Sequence, residues 1–231
     1  MNAEGTSRSD SPLFAYREPY KHLQQIYRYL PTKYVESFLA GDIWISTLEC
    51  CRRGLGAKGH GADSGDGVET IHRTFYDPDT ATEADKLAMR RNFSGIVEGD
   101  PAEARFENVF SIPAPVDGYV FCTSMAGKDP GLYEKFGPKC IRIAQPHLAG
   151  RLIREALRAC REIEDFKARP VVYRGRSLVD NEGADTPPGF HSIYRNRDEK
   201  EWRMIGYTPA GHIPQPFVLH VPELKRLVSK A

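Results

Sequence analysis

No stretch of the 231-residue sequence approaches the run of about 18 apolar residues that a membrane-spanning helix needs. The apolar segment of a secretory signal is missing as well: residues 1–12 are small and polar. They read as a disordered lead-in, with limits set at 1–14 for the lead-in and 15–231 for one folded domain. Net charge is almost absent, 32 basic residues against 31 acidic, so no global field draws the chain onto nucleic acid or an anionic membrane. Basic surface is left to local patches. Cysteine is scarce and odd in number: Cys50, Cys51, Cys122, Cys140 and Cys160. Scattered thiols without a signal segment predict a reduced, cytoplasmic protein, and an adjacent Cys50-Cys51 pair is no metal-ligand spacing. No metal is expected. The sequence also lacks a G-x-S-x-G elbow and an H-E-x-x-H helix, which takes two common hydrolase classes out of view.

What is present is ordinary for a globular chain. Hydrophobic residues make up 40% and charged residues 27%, which excludes wholesale disorder, and the length suits one core. Gln25-Ile26-Tyr27-Arg28-Tyr29-Leu30 has strand-favouring content and stops at Pro31. Thr32 then caps a short helix carrying Tyr34, Val35, Phe38 and Leu39 on one side, and Gly41 ends it before a strand over 42–46. Helices are predicted over 83–91, 101–109, 146–166 and 222–229, with a helical turn over 130–136. Strands are predicted over 118–124, 139–144, 171–173, 201–207 and 217–221. Strands and helices mix without regular βαβ alternation, so the fold class is α+β, with a mixed or antiparallel sheet flanked by helices.

Several constellations invite a functional reading. Gly54-Leu55-Gly56-Ala57-Lys58-Gly59 is a literal G-x-G-x-x-G, but the glycines and aspartates after it cannot open a helix, so it reads as a loop. His60, Asp63, Asp66 and His72 have no recognised ligand spacing. The run Asp198 to Arg203 carries more. On a strand, Glu199, Glu201 and Arg203 project to one side while Lys200, Trp202 and Met204 project to the other. Two carboxylates and a guanidinium on one partly buried face shift one another's proton affinities, as sites that move protons or stabilise positive charge do. An ion-pair ladder on a solvated face is the plainer reading of the same spacing. Arg28 between two tyrosines suits a phosphate or a base, or equally an exposed strand position. Thr123 and Ser124 end an apolar strand, where their hydroxyls line a pocket or satisfy the turning backbone. Cys122 reads as an inert core thiol.

Taken in order, these pieces resemble a large bacterial family of domains of unknown function. Its members open with an aromatic-basic-aromatic strand, here Tyr27-Arg28-Tyr29, and a second strand, here ending Trp44-Ile45-Ser46. A Cys-x-Ser-like triplet follows, here Cys122-Thr123-Ser124, and the family closes on Glu-x-Glu-x-Arg, here Glu199, Glu201 and Arg203. The family's Asn-Asp-Pro turn is absent, and the glycine-rich stretch stands in its place. More distantly the order is similar to the ADP-ribosyltransferase layout, which adds a split sheet to the expected forms. That resemblance implies NAD as substrate and a macromolecular acceptor. It implies that Arg28, with Tyr29, grips the NAD phosphates or ribose, that Ser124 and Thr123 orient the nicotinamide ribose, and that Glu201 or Glu199 stabilises the oxocarbenium-like transition state. The alternative is a non-catalytic nucleic-acid- or protein-binding domain of a bacterial defence or toxin system, for which Arg151, Arg154, Arg158 and Arg161 form a candidate basic stripe interrupted by Glu155, Glu162 and Glu164. Carboxylate-pair glycosidase chemistry by Glu199 and Glu201 is disfavoured, because two same-face neighbours on one strand cannot flank a sugar.

Overall fold

Two segments, Gly118–Ser124 and Glu201–Tyr207, are covered on both faces, and strands of that kind belong in the middle of a sheet. In the computed structural model they lie side by side at its centre. The structure describes residues 22–53, 70–93, 98–111, 116–173, 177–179, 187, 189–192 and 194–231. The expected lead-in and the stretch holding Gly54, Gly56, Gly59, His60, Asp63 and Asp66 lie outside the described residues.

In chain order the strands are β1 (Gln25–Leu30), β2 (Asp42–Thr47), β3 (Thr70–Tyr76), β4 (Phe106–Ser111), β5 (Gly118–Ser124), β6 (Lys139–Ala144) and β7 (Asp165–Pro170). They continue with β8 (Val172–Tyr173), β9 (Ser177–Val179), β10 (His191–Ser192), β11 (Glu201–Tyr207), β12 (Phe217–His220) and β13 (Val228–Lys230). The helices are α1 (Val35–Leu39), α2 (Leu48–Arg53), α3 (Glu83–Phe93), α4 (Pro130–Phe136) and α5 (Pro146–Cys160). The main sheet is antiparallel and has eight strands. Its path runs β12-β2-β5-β1-β6-β13, with β11 added to β5 and β7 to β11. Together the described residues form a single α+β domain.

β5 makes the sheet fork. One edge pairs with β11 along its whole length, from Glu201 opposite Ser124 to Tyr207 opposite Gly118. The other edge is shared, β2 taking Tyr119 and Val120 while β1 takes Ser124. Between these points β1 and β2 part, and the main core fills the gap with Ile26, Leu30, Ile43, Ile45 and Phe121. α5 covers this first face through Ala149, Ile153 and Leu157, packed with Trp202 and Met204. Proline at its first turn and an apolar stripe of helical period account for the helix. On the opposite face Leu48 of α2 packs against Val120, Ile205 and Phe190. A satellite cluster of Tyr76, Met89, Phe93 and Ala102 joins β3, α3 and the turn before β4.

Four expectations need correction. The helix predicted over 101–109 is a single turn, Pro101–Glu103, followed by β4. Asp100 caps that turn by accepting from Ala102 N at 2.9 Å, but pairing with β3 claims the rest of the segment. The long helix stops at Cys160, where Arg161 turns extended with φ −142°, because β7 is needed to cover the edge of β11. The C-terminal helix is a short turn, Pro222–Arg226, after which β13 pairs with β6. The closing strand begins at Glu201, so Glu199 does not belong to it: residues Tyr194–Glu199 form a 3-10 helix, and Lys200 sits at φ 43°, in the left-handed region.

Candidate functional site

Register across β1, β5 and β11 builds the site. Tyr27 stands opposite Ser124, and Ser124 stands opposite Glu201. Residues paired across a sheet project to the same face, so an aromatic ring, a hydroxyl and a carboxylate form one row. Arg203 and Cys122 occupy the next row of that face, again paired with each other. Gly127 matters here, because a Cβ at that position would meet the Tyr27 ring at 2.5 Å; glycine lets the ring lie against the turn after β5.

Glu201 is closed from one side. Arg203 donates from Nε to Oε1 at 2.9 Å and from Nη2 to Oε2 at 2.8 Å, the bidentate geometry that suits guanidinium and carboxylate. The Glu201 side chain is 9% exposed and that of Arg203 is 4% exposed, so the pair is screened by protein rather than water. Arg203 Nη1 also donates to the Gly189 carbonyl. Burial pushes the Glu201 carboxyl up, but the charge and hydrogen bonds of Arg203 outweigh it, helped by Cys122 and by the charge of Arg28. The net effect is a lowered proton affinity. An ionised carboxylate has about four acceptor positions, and two are taken by Arg203. The backbone of Glu201 is held too: its N–H donates to the Tyr173 hydroxyl at 2.7 Å, and its carbonyl accepts from Val171 at 2.9 Å.

Glu199 lies beside this pair on the 3-10 helix. Burial first, and then the charge of Glu201, raise its proton affinity against the opposing Lys135, with which it forms an ion pair. Two neighbouring carboxylates are thus pushed apart in acidity, Glu201 down and Glu199 up, which is the pattern that separates a fixed charge from a proton carrier.

The remaining expected residues are placed differently. Arg28 belongs to the other face of β1, alongside Ile26 and Leu30, with its guanidinium 5.4 Å from the Phe121 ring centroid. It sits in the fork and donates from Nη1 to the Cys122 carbonyl there. Thr123 shares that face, and its hydroxyl donates to the Trp202 carbonyl at 2.8 Å. Tyr29 is buried against Leu132 and Cys140; its hydroxyl donates to Ala126 O at 2.8 Å and accepts from Asp129 N at 3.0 Å. Ser124 is in the row, although its hydroxyl donates to the Glu199 carbonyl at 2.5 Å and accepts from Ala126 N at 2.9 Å.

No protein-family model, curated protein or solved structure matches the chain.

The geometry also adds residues that sequence reasoning passed over. Tyr27 rather than Tyr29 joins the row, Tyr173 anchors the Glu201 backbone, and Lys135 pairs with Glu199. The first was within reach: Tyr27 and Tyr29 share a face by alternation, and only register decides which of them meets Ser124. Tyr173 and Lys135 come from segments whose sequences carry no signal of contact with Glu201 or Glu199. Among the described residues no cluster of three or more metal-ligating side chains occurs, and no helix is long and apolar enough to cross a membrane.

Proposed function

We propose that this chain is an ADP-ribosyltransferase-like enzyme that consumes NAD, transferring ADP-ribose to a macromolecular acceptor or to water. The observation that carries the reading is the row Tyr27, Ser124 and Glu201 on adjacent strands beside a forked β5. Loss of nicotinamide leaves positive charge on the ribose, and a carboxylate held ionised at a fixed position stabilises that charge without reorganising. Arg203 keeps Glu201 ionised, and an acceptor position not taken by Arg203 suits a ribose hydroxyl. Glu199, with its raised proton affinity, is the group suited to take a proton from an acceptor. Arg28, on the other face of β1, acts in this reading through its charge on Glu201 and not as a phosphate contact. Thr123 and Tyr29, both occupied by backbone groups, act in this reading as supports for the strands and not as ligand contacts.

Incubation with NAD, with released nicotinamide measured by chromatography, tests the proposal. Glu201→Gln, isosteric and still able to accept from Arg203, is expected to lower release by at least about a hundredfold while the circular dichroism spectrum stays unchanged. No NAD binding by calorimetry, together with no nicotinamide from the unaltered chain, sinks the reading.

One observation favours the alternative of a polyanion-binding domain. Arg151 and Arg158 are exposed on α5 with Arg154 between them, on the far side of the sheet from Glu201. Binding to an RNA or DNA fragment that weakens steeply with salt, and is lost on Arg151→Glu/Arg158→Glu, would support that function instead.

A further inference from the structure

Five cysteines are scattered along the sequence, yet the fold brings two of them together. Cys51 lies on α2, which starts directly after β2, with Thr47 Oγ1 accepting from Cys50 N at 3.0 Å at the helix start. The helix is held against the domain by Arg52, which pairs with Glu49 at 2.9 Å and with Asp117, just before β5, at 3.6 Å. Cys51 and Cys122 both pack on the cluster of Leu48, Val120, Phe190 and Ile205. The neighbouring Cys51 thiol is the largest influence on the Cys122 thiol, ahead of burial and the charge of Glu201, and all three hold its proton on. Cys51 itself is part-exposed, so a small solute can reach it.

The other thiols are placed elsewhere. Cys140 is buried with Tyr29 and Leu132. Cys160 ends α5, its Sγ 3.6 Å from the Leu157 carbonyl. Cys50 neighbours Cys51 in sequence, but one residue along an α-helix rotates a side chain by about 100°, away from the contact that Cys51 makes.

We propose that Cys51 and Cys122 form an oxidation site, at which a peroxide joins α2 to β5 through a disulfide beside Glu201. The part-exposed Cys51 reacts first. Its thiolate sulfur attacks one peroxide oxygen, the O–O bond breaks, and the departing hydroxide takes a proton to leave as water, giving a sulfenic acid. The Cys122 sulfur then displaces the hydroxyl from Cys51 sulfur. The S–S bond forms, and the Cys122 proton leaves with that hydroxyl as a second water. The two thiols lose two electrons and the peroxide gains them. The bridge removes the Cys122 thiol, one of the groups that lower the proton affinity of Glu201, so oxidation is sensed at the carboxylate itself. This site stands whether or not the chain turns over NAD.

The full chain is treated with hydrogen peroxide, the thiols are counted in denaturant, and a non-reducing digest is mapped by mass spectrometry. The count is expected to fall by two from five, with a linked Cys51–Cys122 peptide that dithiothreitol removes. Cys50→Ser should leave the linked fraction unchanged, whereas Cys51→Ser and Cys122→Ser should each lower it by at least about tenfold. Because Cys122 is packed against β11, Cys51→Ser on the less buried helix keeps the test readable if Cys122→Ser folds poorly. An unchanged thiol count, a link that persists in Cys51→Ser through Cys50, or oxidation ending as separate sulfinic acids overturns the proposal.

Discussion

Replacing Arg203 with leucine is the sharpest physical test of the Glu201 environment. The substitution removes both hydrogen bonds to the carboxylate and the donor to the Gly189 carbonyl, while leaving apolar volume in the strand. Both side chains of the pair are less than one-tenth exposed, so solvent screening does little to soften the loss. Breaking one side of a buried ion pair costs about 3–5 kcal/mol, a large share of the 5–15 kcal/mol that about covers a domain's total stability. At this chain length that lowers Tm by on the order of 10 °C. The pH dependence identifies the cause. In the unaltered chain the folded-state affinity of Glu201 is lowered, so its contribution is present above the ordinary carboxylate range and is lost as pH falls through the folded value. Without Arg203, burial is opposed only by the weaker effects of Cys122 and Arg28 and raises that affinity, so the variant is relieved as pH falls and Glu201 takes up a proton in the folded state. Urea denaturation across a pH series should therefore show a penalty that is largest near neutral pH and shrinks towards about pH 4. Arg203→Leu/Glu201→Leu should recover most of the stability, since an apolar pair of similar volume replaces the charges. A penalty below about 1 kcal/mol that is flat with pH would refute the buried-pair reading.

The same geometry yields three further expectations. Glu199→Gln should flatten the loss of stability as pH rises from about 4.3 through the raised folded value, because a raised carboxyl stabilises the fold only while it is protonated; an unchanged slope in pH-dependent urea melts would count against it. Tyr173→Phe strips the hydroxyl that accepts the Glu201 N–H and should cost about 1–3 kcal/mol in the same assay, with a faster-exchanging Glu201 amide by hydrogen exchange. Gly127→Ala drives a methyl into the Tyr27 ring and should cost about 1–3 kcal/mol, with Tyr27→Ala in the same chain removing most of that penalty; equal penalties in both backgrounds would show that the ring is not what glycine accommodates.

Central strands were the most legible part of the sequence. β5 and β11 declare themselves by apolar residues at successive positions, and β1, β6 and α5 by composition and period. Segments at the edges were misread, because a short amphipathic stretch is stabilised by whichever partner it meets. Residues 101–109 and 222–229 carry prolines and charges that permit a helix, yet sheet edges at β3 and β6 were there to be paired. The reading of Glu199, Glu201 and Arg203 as one strand face was right for the last two. It missed Lys200, whose left-handed backbone turns Glu199 off the strand and onto Lys135.

Arg28 shows why a site cannot be assembled from residue types alone. Its position in the opening strand is the feature an ADP-ribosyltransferase layout demands, yet alternation puts its side chain on the core face, opposite to Glu201. In an unbroken sheet that would separate the two. The sheet is not unbroken there, since β5 exchanges one partner strand for another between Val120 and Ser124, and the Arg28 guanidinium binds the carbonyl of Cys122 within that interval. From the fork its charge adds to the larger effect of Arg203 in lowering the Glu201 carboxyl. The fork and the arginine therefore act as one feature: parting strands leave a backbone acceptor, the acceptor fixes the guanidinium, and the guanidinium is felt at the carboxylate on the other face.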